Sequence, residues 1–101
     1  MFKLTEDQVK TAIKNTWKNK ANYTYMIDEL YPRMERIIGK ELLPEGLVSA
    51  LLVVVEETFD VYPPDVKSLV YLYMPNFVRN LELGEEGEKA ANLFERVIVR
   101  Y

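Results

Sequence analysis

Residues 44–59 run PEGLVSALLVVVEETF, and two secondary structures compete for them. Val53, Val54 and Val55 are β-branched, which suits a strand. Yet Leu47, Val48, Leu51, Leu52, Val54, Val55 and Phe59 cover most of the circumference of a helix. The segment is also longer than an ordinary strand, and Glu56-Glu57 ends its apolar run. We read a helix. A segment apolar on nearly all sides is expected to be the central, most buried element of its fold. Pro44-Glu45-Gly46 reads as the turn leading into it.

The flanking segments carry helical periods too. Upstream, Tyr23, Met26, Ile27, Leu30, Met34, Ile37 and Ile38 follow three-four spacing, from a cap at Asn22 to a stop at Gly39. Pro32 lies inside that pattern, and proline both lacks an N–H and clashes with the preceding turn. A kink or break is expected there. Downstream, Tyr62-Pro63-Pro64 breaks the chain and Asp65 is placed to cap a fourth helix, with Val66, Leu69, Val70, Tyr73, Phe77, Val78 and Leu81 as its apolar face. Pro75 interrupts it as Pro32 interrupts the second. Gly84 closes it.

The ends complete the set. Thr5 and Gln8 have capping-box spacing, Leu4 is placed as a staple, and Val9, Ile13 and Trp17 recur every four residues with Ala12 beside them. This predicts a helix over residues 6–20. The last segment begins near Glu85 and carries Ala90, Ala91, Leu93, Phe94, Val97 and Ile98. Residues 96–101 alternate enough to allow a strand, but no other strand is there to pair with. A shift of 43 residues lays the second and third segments over the fourth and fifth, with Pro32 on Pro75; two copies are too few for a solenoid. The expectation is an all-α fold: a compact bundle of about five helices, two of them kinked or broken at Pro32 and Pro75, forming a single helical domain over residues 1–101.

Composition narrows the chemistry. The 101 residues include no cysteine and no histidine. Disulfides, thiolate metal sites, thiol catalysis and the commonest general base are thereby excluded. At 49 % hydrophobic and 29 % charged, the chain is globular rather than disordered. The longest apolar run, residues 50–55, is far too short to span a bilayer, and residues 1–7 lack the apolar core of a signal peptide. A soluble, cytoplasmic protein without membrane contact is expected. Residues 1–20 carry +3 and residues 21–101 carry −6, so the net −3 hides a basic first helix on an acidic body.

Three constellations could carry function. The seven tyrosines exceed what one core holds: on a helix, Tyr71 and Tyr73 point about 200° apart, as do Tyr23 and Tyr25. Tyrosine at the surface is favoured in protein interfaces. The expected role is therefore non-catalytic, a protein-binding or assembly module that self-associates as a homo-oligomer. Tyr25, Tyr31, Tyr71 and Trp17 are its candidate interface residues, and no cofactor is expected. The alternative is nucleic-acid association through Lys10, Lys14 and Lys18, spaced i, i+4, i+8 along the first helix. With no arginine in that helix, contact would go to phosphates rather than bases. A second alternative is a carboxylate-metal hydrolase. Glu56, Glu57 and Asp60 are spaced to hold a hard cation such as Mg²⁺. A facing Glu-x-x-Glu pair upstream is missing, since Pro44 separates Glu41 from Glu45. Glu82, Glu85, Glu86 and Glu88 form the densest acidic patch, readable as a docking surface for a basic partner or as a solubilising helix start.

Overall fold

In the computed structural model, residues 1–20 and 23–99 are described, and five helices order them. The first, α1, spans Glu6–Trp17. Its start is the capping box read from sequence: Thr5 Oγ1 accepts from the Gln8 N–H at 3.1 Å, and Gln8 Oε1 accepts from the Thr5 N–H at 2.9 Å. The Gln8 amide also donates to the Leu81 carbonyl, tying this cap to the far end of the fourth helix. α1 ends at Trp17, earlier than residue 20, because the chain turns back there with the Lys20 N–H on the Trp17 carbonyl.

The second helical run, α2, covers residues 23–37 and is irregular as Pro32 requires. An α-turn at Tyr23–Tyr25 widens to a π-helix at Met26–Leu30, returns to α at Tyr31–Met34 and tightens to 3₁₀ at Glu35–Ile37. The Tyr31 N–H reaches back five residues to the Met26 carbonyl. Pro32 cannot donate to Asp28 and its ring crowds that carbonyl; a wider turn just before it relieves both problems. Gly39, at φ +83, ends the run as expected. The proposed cap, Asn22, lies outside the described residues.

A strap that the sequence reading missed closes this corner. Phe2 and Leu42 exchange both backbone hydrogen bonds, at 2.9 and 2.8 Å, and the Gly39 N–H donates to the Leu4 carbonyl. Leu4 is thereby held in the core at 1 % exposure. These are isolated bridges, and the described residues form no strand.

The contested stretch is helical: α3 spans Pro44–Phe59. Pro44-Glu45-Gly46 is its first turn rather than a preceding turn, with Pro44 at a first-turn position where a missing N–H costs nothing. Leu47, Val48, Leu51, Val54, Val55, Thr58 and Phe59 are buried at helical spacing. The β-branched run yields to this period because three faces of α3 meet other helices. One face does not, and Val53 on it is 51 % exposed.

The fourth helix, α4, spans Pro64–Asn80, again with proline in its first turn. Asp65 falls inside that first turn, so Pro63 is the cap in its place. The helix continues through Pro75, which is buried. After a left-handed Glu82 (φ 56) and Gly84 (φ 68), α5 spans Glu85–Val99. That settles residues 96–99 as helix; Arg100 and Tyr101 lie outside the described residues.

One core joins the helices. Trp17 of α1, Phe59 of α3, Phe77 of α4 and Phe94 of α5 are its largest ring side chains. Trp17 lies 5.4 Å from Phe77, ring centre to ring centre. At its edge a buried Thr16 hydroxyl donates to the Ala12 carbonyl and accepts from Asn80 at 2.8 Å, which pins α1 to α4.

Candidate interaction surface

Burying residues 47, 51, 54, 55 and 58 leaves a stripe of α3 facing outward. Its members are Glu45, Ser49, Leu52, Val53 and Glu56, at helical spacing and either exposed or half-buried. An apolar groove of about 370 Å³ lies on one flank, between α3 and α5, lined by Glu45, Val48, Ser49, Leu52, Leu93, Arg96 and Val97. A second, of about 330 Å³, lies on the other flank, between α3 and the end of α2, lined by Arg36, Ile37, Ser49, Ala50, Val53 and Val54. Ser49 lines both, so the stripe is a ridge between two apolar depressions.

Charges border the ridge. Glu45 and Arg96 line the first groove, and neither has an ion-pair partner among the described residues. At the opposite end Arg36 bonds to Glu57 and to the Arg33 carbonyl. Glu56 accepts from Lys67 at 2.7 Å and from the Tyr71 hydroxyl at 2.8 Å. Those two bonds, Lys67 first, hold its carboxyl below the ordinary value against the opposing effect of burial.

The residues singled out in the sequence fare differently. Trp17 is fully buried, so it belongs to the core and is removed from the candidate interface. Its bulk fills the centre, and its indole N–H finds no acceptor among the described residues. Tyr25, Tyr31 and Tyr71 are half-buried, as are Tyr23, Tyr62 and Tyr73. Rings 200° apart on one helix are thus accommodated by laying each along an edge of the core. Tyr25 packs on Tyr62 at 4.8 Å. Tyr31 lies under Lys10, and packing lifts its phenol above the ordinary value. Tyr71 lies against Phe94 and holds Glu56. These are three separate neighbourhoods rather than one tyrosine surface.

Of the lysines, Lys10 is engaged, bonded to Glu6 at 2.6 Å, while Lys14 and Lys18 are exposed. Nearby, a polar groove of about 300 Å³ between α1 and α4 is lined by Asn15, Thr16, Lys20, Tyr73, Asn76, Arg79 and Asn80. Lys20 sits over the Tyr73 ring, and Arg79 is taken up by Glu88, Glu95 and Asn92.

The carboxylates do not converge. Glu56 turns to α4 and Glu57 to Arg36 on α2, while Asp60 is exposed at the helix end. One helical turn places these groups close in sequence, but their cationic partners draw them to opposite flanks. Among the described residues no three acidic side chains gather as a metal site. In the acidic patch, Glu86 binds the N-terminal ammonium at 2.9 Å and Glu88 binds Arg79 at 3.0 Å, so part of its charge is neutralised internally.

The α3 ridge escaped the sequence reading. Its one signal was Val53, which falls outside the period of the buried positions. Among the described residues no helix is long and apolar enough to cross a membrane. Comparison with known proteins adds no relative: no family model, curated protein or solved structure matches the chain.

Proposed function

We propose that the chain is a non-catalytic protein-binding and assembly module that self-associates, with the outer face of α3 as its contact surface. The observation that carries this reading is the ridge itself. Leu52 and Val53 stand on the most heavily buried helix of the fold yet reach the surface between two apolar grooves. Interface centres are apolar and poor in charge, with polar residues at the rim. Here the centre is Ser49, Ala50, Leu52 and Val53, and the rim is Glu45, Arg96, Arg36 and Glu57. Tyr71 supports the rim by holding Glu56 in place, rather than supplying the contact.

The lysine reading has less behind it. One of its three cations is already paired, and no arginine stands in that helix. The test of the proposal is Val53→Glu, which puts a charge at the centre of the ridge without entering the core. The expected result is loss of self-association with the far-UV circular dichroism unchanged. Self-association that survives this charge would reject α3 as the surface.

A further inference from the structure

The groove between α1 and α4 differs in kind from the two that flank α3. One wall is the end of α1 with Lys20 behind it, and the other is the last two turns of α4. Every lining side chain carries a hydrogen-bonding group. None of them is acidic, although acids outnumber bases sixteen to thirteen in the chain. The volume, about 300 Å³, stands at the lower end of the range for small-molecule sites, roughly 300–1,000 Å³.

Its polar groups are held in place. Lys20 is half-buried, and its backbone is fixed on both sides: its N–H donates to the Trp17 carbonyl and its carbonyl accepts from the Tyr23 N–H. Its ammonium lies 4.6 Å from the centre of the Tyr73 ring and has no ion-pair partner among the described residues. Arg79 donates through Nε to Glu88, through Nη1 to Glu95 and through Nη2 to Asn92. Those bonds fix the guanidinium plane and leave one N–H on each terminal nitrogen. Glu88 and Glu95 balance its charge, so the uncompensated charge of the groove is that of Lys20. The Thr16 hydroxyl, 5 % exposed, orients the Asn80 amide between the walls. The Asn15 and Asn76 amides make no hydrogen bond among the described residues. Carbonyls at the ends of both helices, those of Lys14, Trp17, Phe77, Val78 and Arg79, already accept from backbone N–H groups. Their negative character is spent there rather than on the groove.

We infer that this groove binds a small phosphate monoester whose organic part carries hydroxyl groups. The cation and the absence of acids select an anion. The donors stand on two facing walls, Lys20 on one and Arg79 and Asn80 on the other. A tetrahedral oxyanion presents oxygens to both walls at once, which a planar carboxylate does not. Phosphate alone leaves most of the volume unfilled. The Asn15 and Asn76 amides offer donors and acceptors together, which is what hydroxyl groups need. A sugar or polyol phosphate and a nucleoside monophosphate share this chemistry. The site involves none of the α3 ridge and is independent of self-association.

The side-chain amides give a direct readout. The isotope-labelled chain is titrated by NMR at constant ionic strength with inorganic phosphate, glycerol phosphate and adenosine monophosphate, and with sodium chloride as control. The amide NH₂ signals of Asn15, Asn76 and Asn80 are expected to shift saturably with at least one ester, and that ester identifies the organic part. Lys20→Gln removes a charge-assisted bond and is expected to weaken binding about tenfold. Asn76→Asp, which places a carboxylate at an exposed position of the wall, is expected to abolish it. Lys14→Gln, on α1 but outside the groove, is expected to leave affinity within about twofold, since exposed and screened charges contribute little. Circular dichroism confirms that each variant is folded. Shifts no larger than those with chloride overturn the site. Equal weakening by Lys14→Gln and Lys20→Gln overturns it too, since diffuse basic charge then accounts for the binding. Inorganic phosphate that binds as tightly as both esters overturns the assignment of an ester.

Discussion

The same substitution at two glycines should move stability in opposite directions. Gly46 lies in the first turn of α3 and is exposed, and a Cβ built on it meets nothing within 4 Å. Gly87 lies in the first turn of α5 and is buried, and its Cβ would stand 2.9 Å from the Cβ of Leu83 and 3.9 Å from the Val78 carbonyl. Neither has positive φ, so alanine is conformationally acceptable at both. Alanine in place of helical glycine gains about 0.5–1 kcal/mol. Gly46→Ala should collect that gain and raise Tm by roughly 2–6 °C for a domain of this size. Gly87→Ala collects the same propensity, but pressing into Leu83 near its backbone costs about 1–3 kcal/mol. The net is a loss of up to about 2.5 kcal/mol, or up to roughly 12 °C. Thermal melts followed by far-UV circular dichroism and by the fluorescence of the single, buried Trp17 give both numbers. If Gly87→Ala stabilises as much as Gly46→Ala, the close packing of α5 on the Leu83 turn is refuted.

Two further outcomes follow from the same contacts. Thr5→Ala removes the hydroxyl that caps α1 and should cost about 1 kcal/mol, read as a fall in Tm; no change would mean that the capping box does not form. Lys67 and Tyr71 hold the Glu56 carboxyl below its ordinary value. Its contribution is therefore complete above the ordinary glutamate range and is lost as pH falls through the lowered folded value. Glu56 is 42 % exposed, so solvent screening keeps this contribution below about 1 kcal/mol. Glu56→Gln should make the acid-side decline in Tm shallower. An identical slope in the variant would show that the Lys67–Glu56–Tyr71 cluster does not couple to folding.

Local signals were legible and non-local ones were not. Thr5 with Gln8, Gly39, Gly84 and the apolar stripes are set by spacing within a few residues, so the five helices could be read from the sequence. Prolines were harder to place. A proline marks a discontinuity but does not say on which side of it the helix lies, so Pro44 and Pro64 read as turns when each stands in a first turn. Pro32 and Pro75 read alike, yet only the first is accompanied by a π-turn. The Phe2–Leu42 pair has no alternating pattern to announce it, because it is a single bridge between segments 40 residues apart. The site was hidden for a related reason. In a run as uniformly apolar as residues 50–55, composition cannot tell which side chain lacks a neighbour. Only the positions of α2 and α5 expose Leu52 and Val53. The tyrosines are spread for a similar reason, since rings on opposed helix faces can each rest on a different edge of one small core.

The molar mass of the unmodified chain in solution, measured by light scattering across a wide concentration range, tests the central claim most directly. The account predicts a rise towards about 24 kDa, twice the 11.9 kDa of one chain. A mass fixed at that of one chain at every concentration would contradict it.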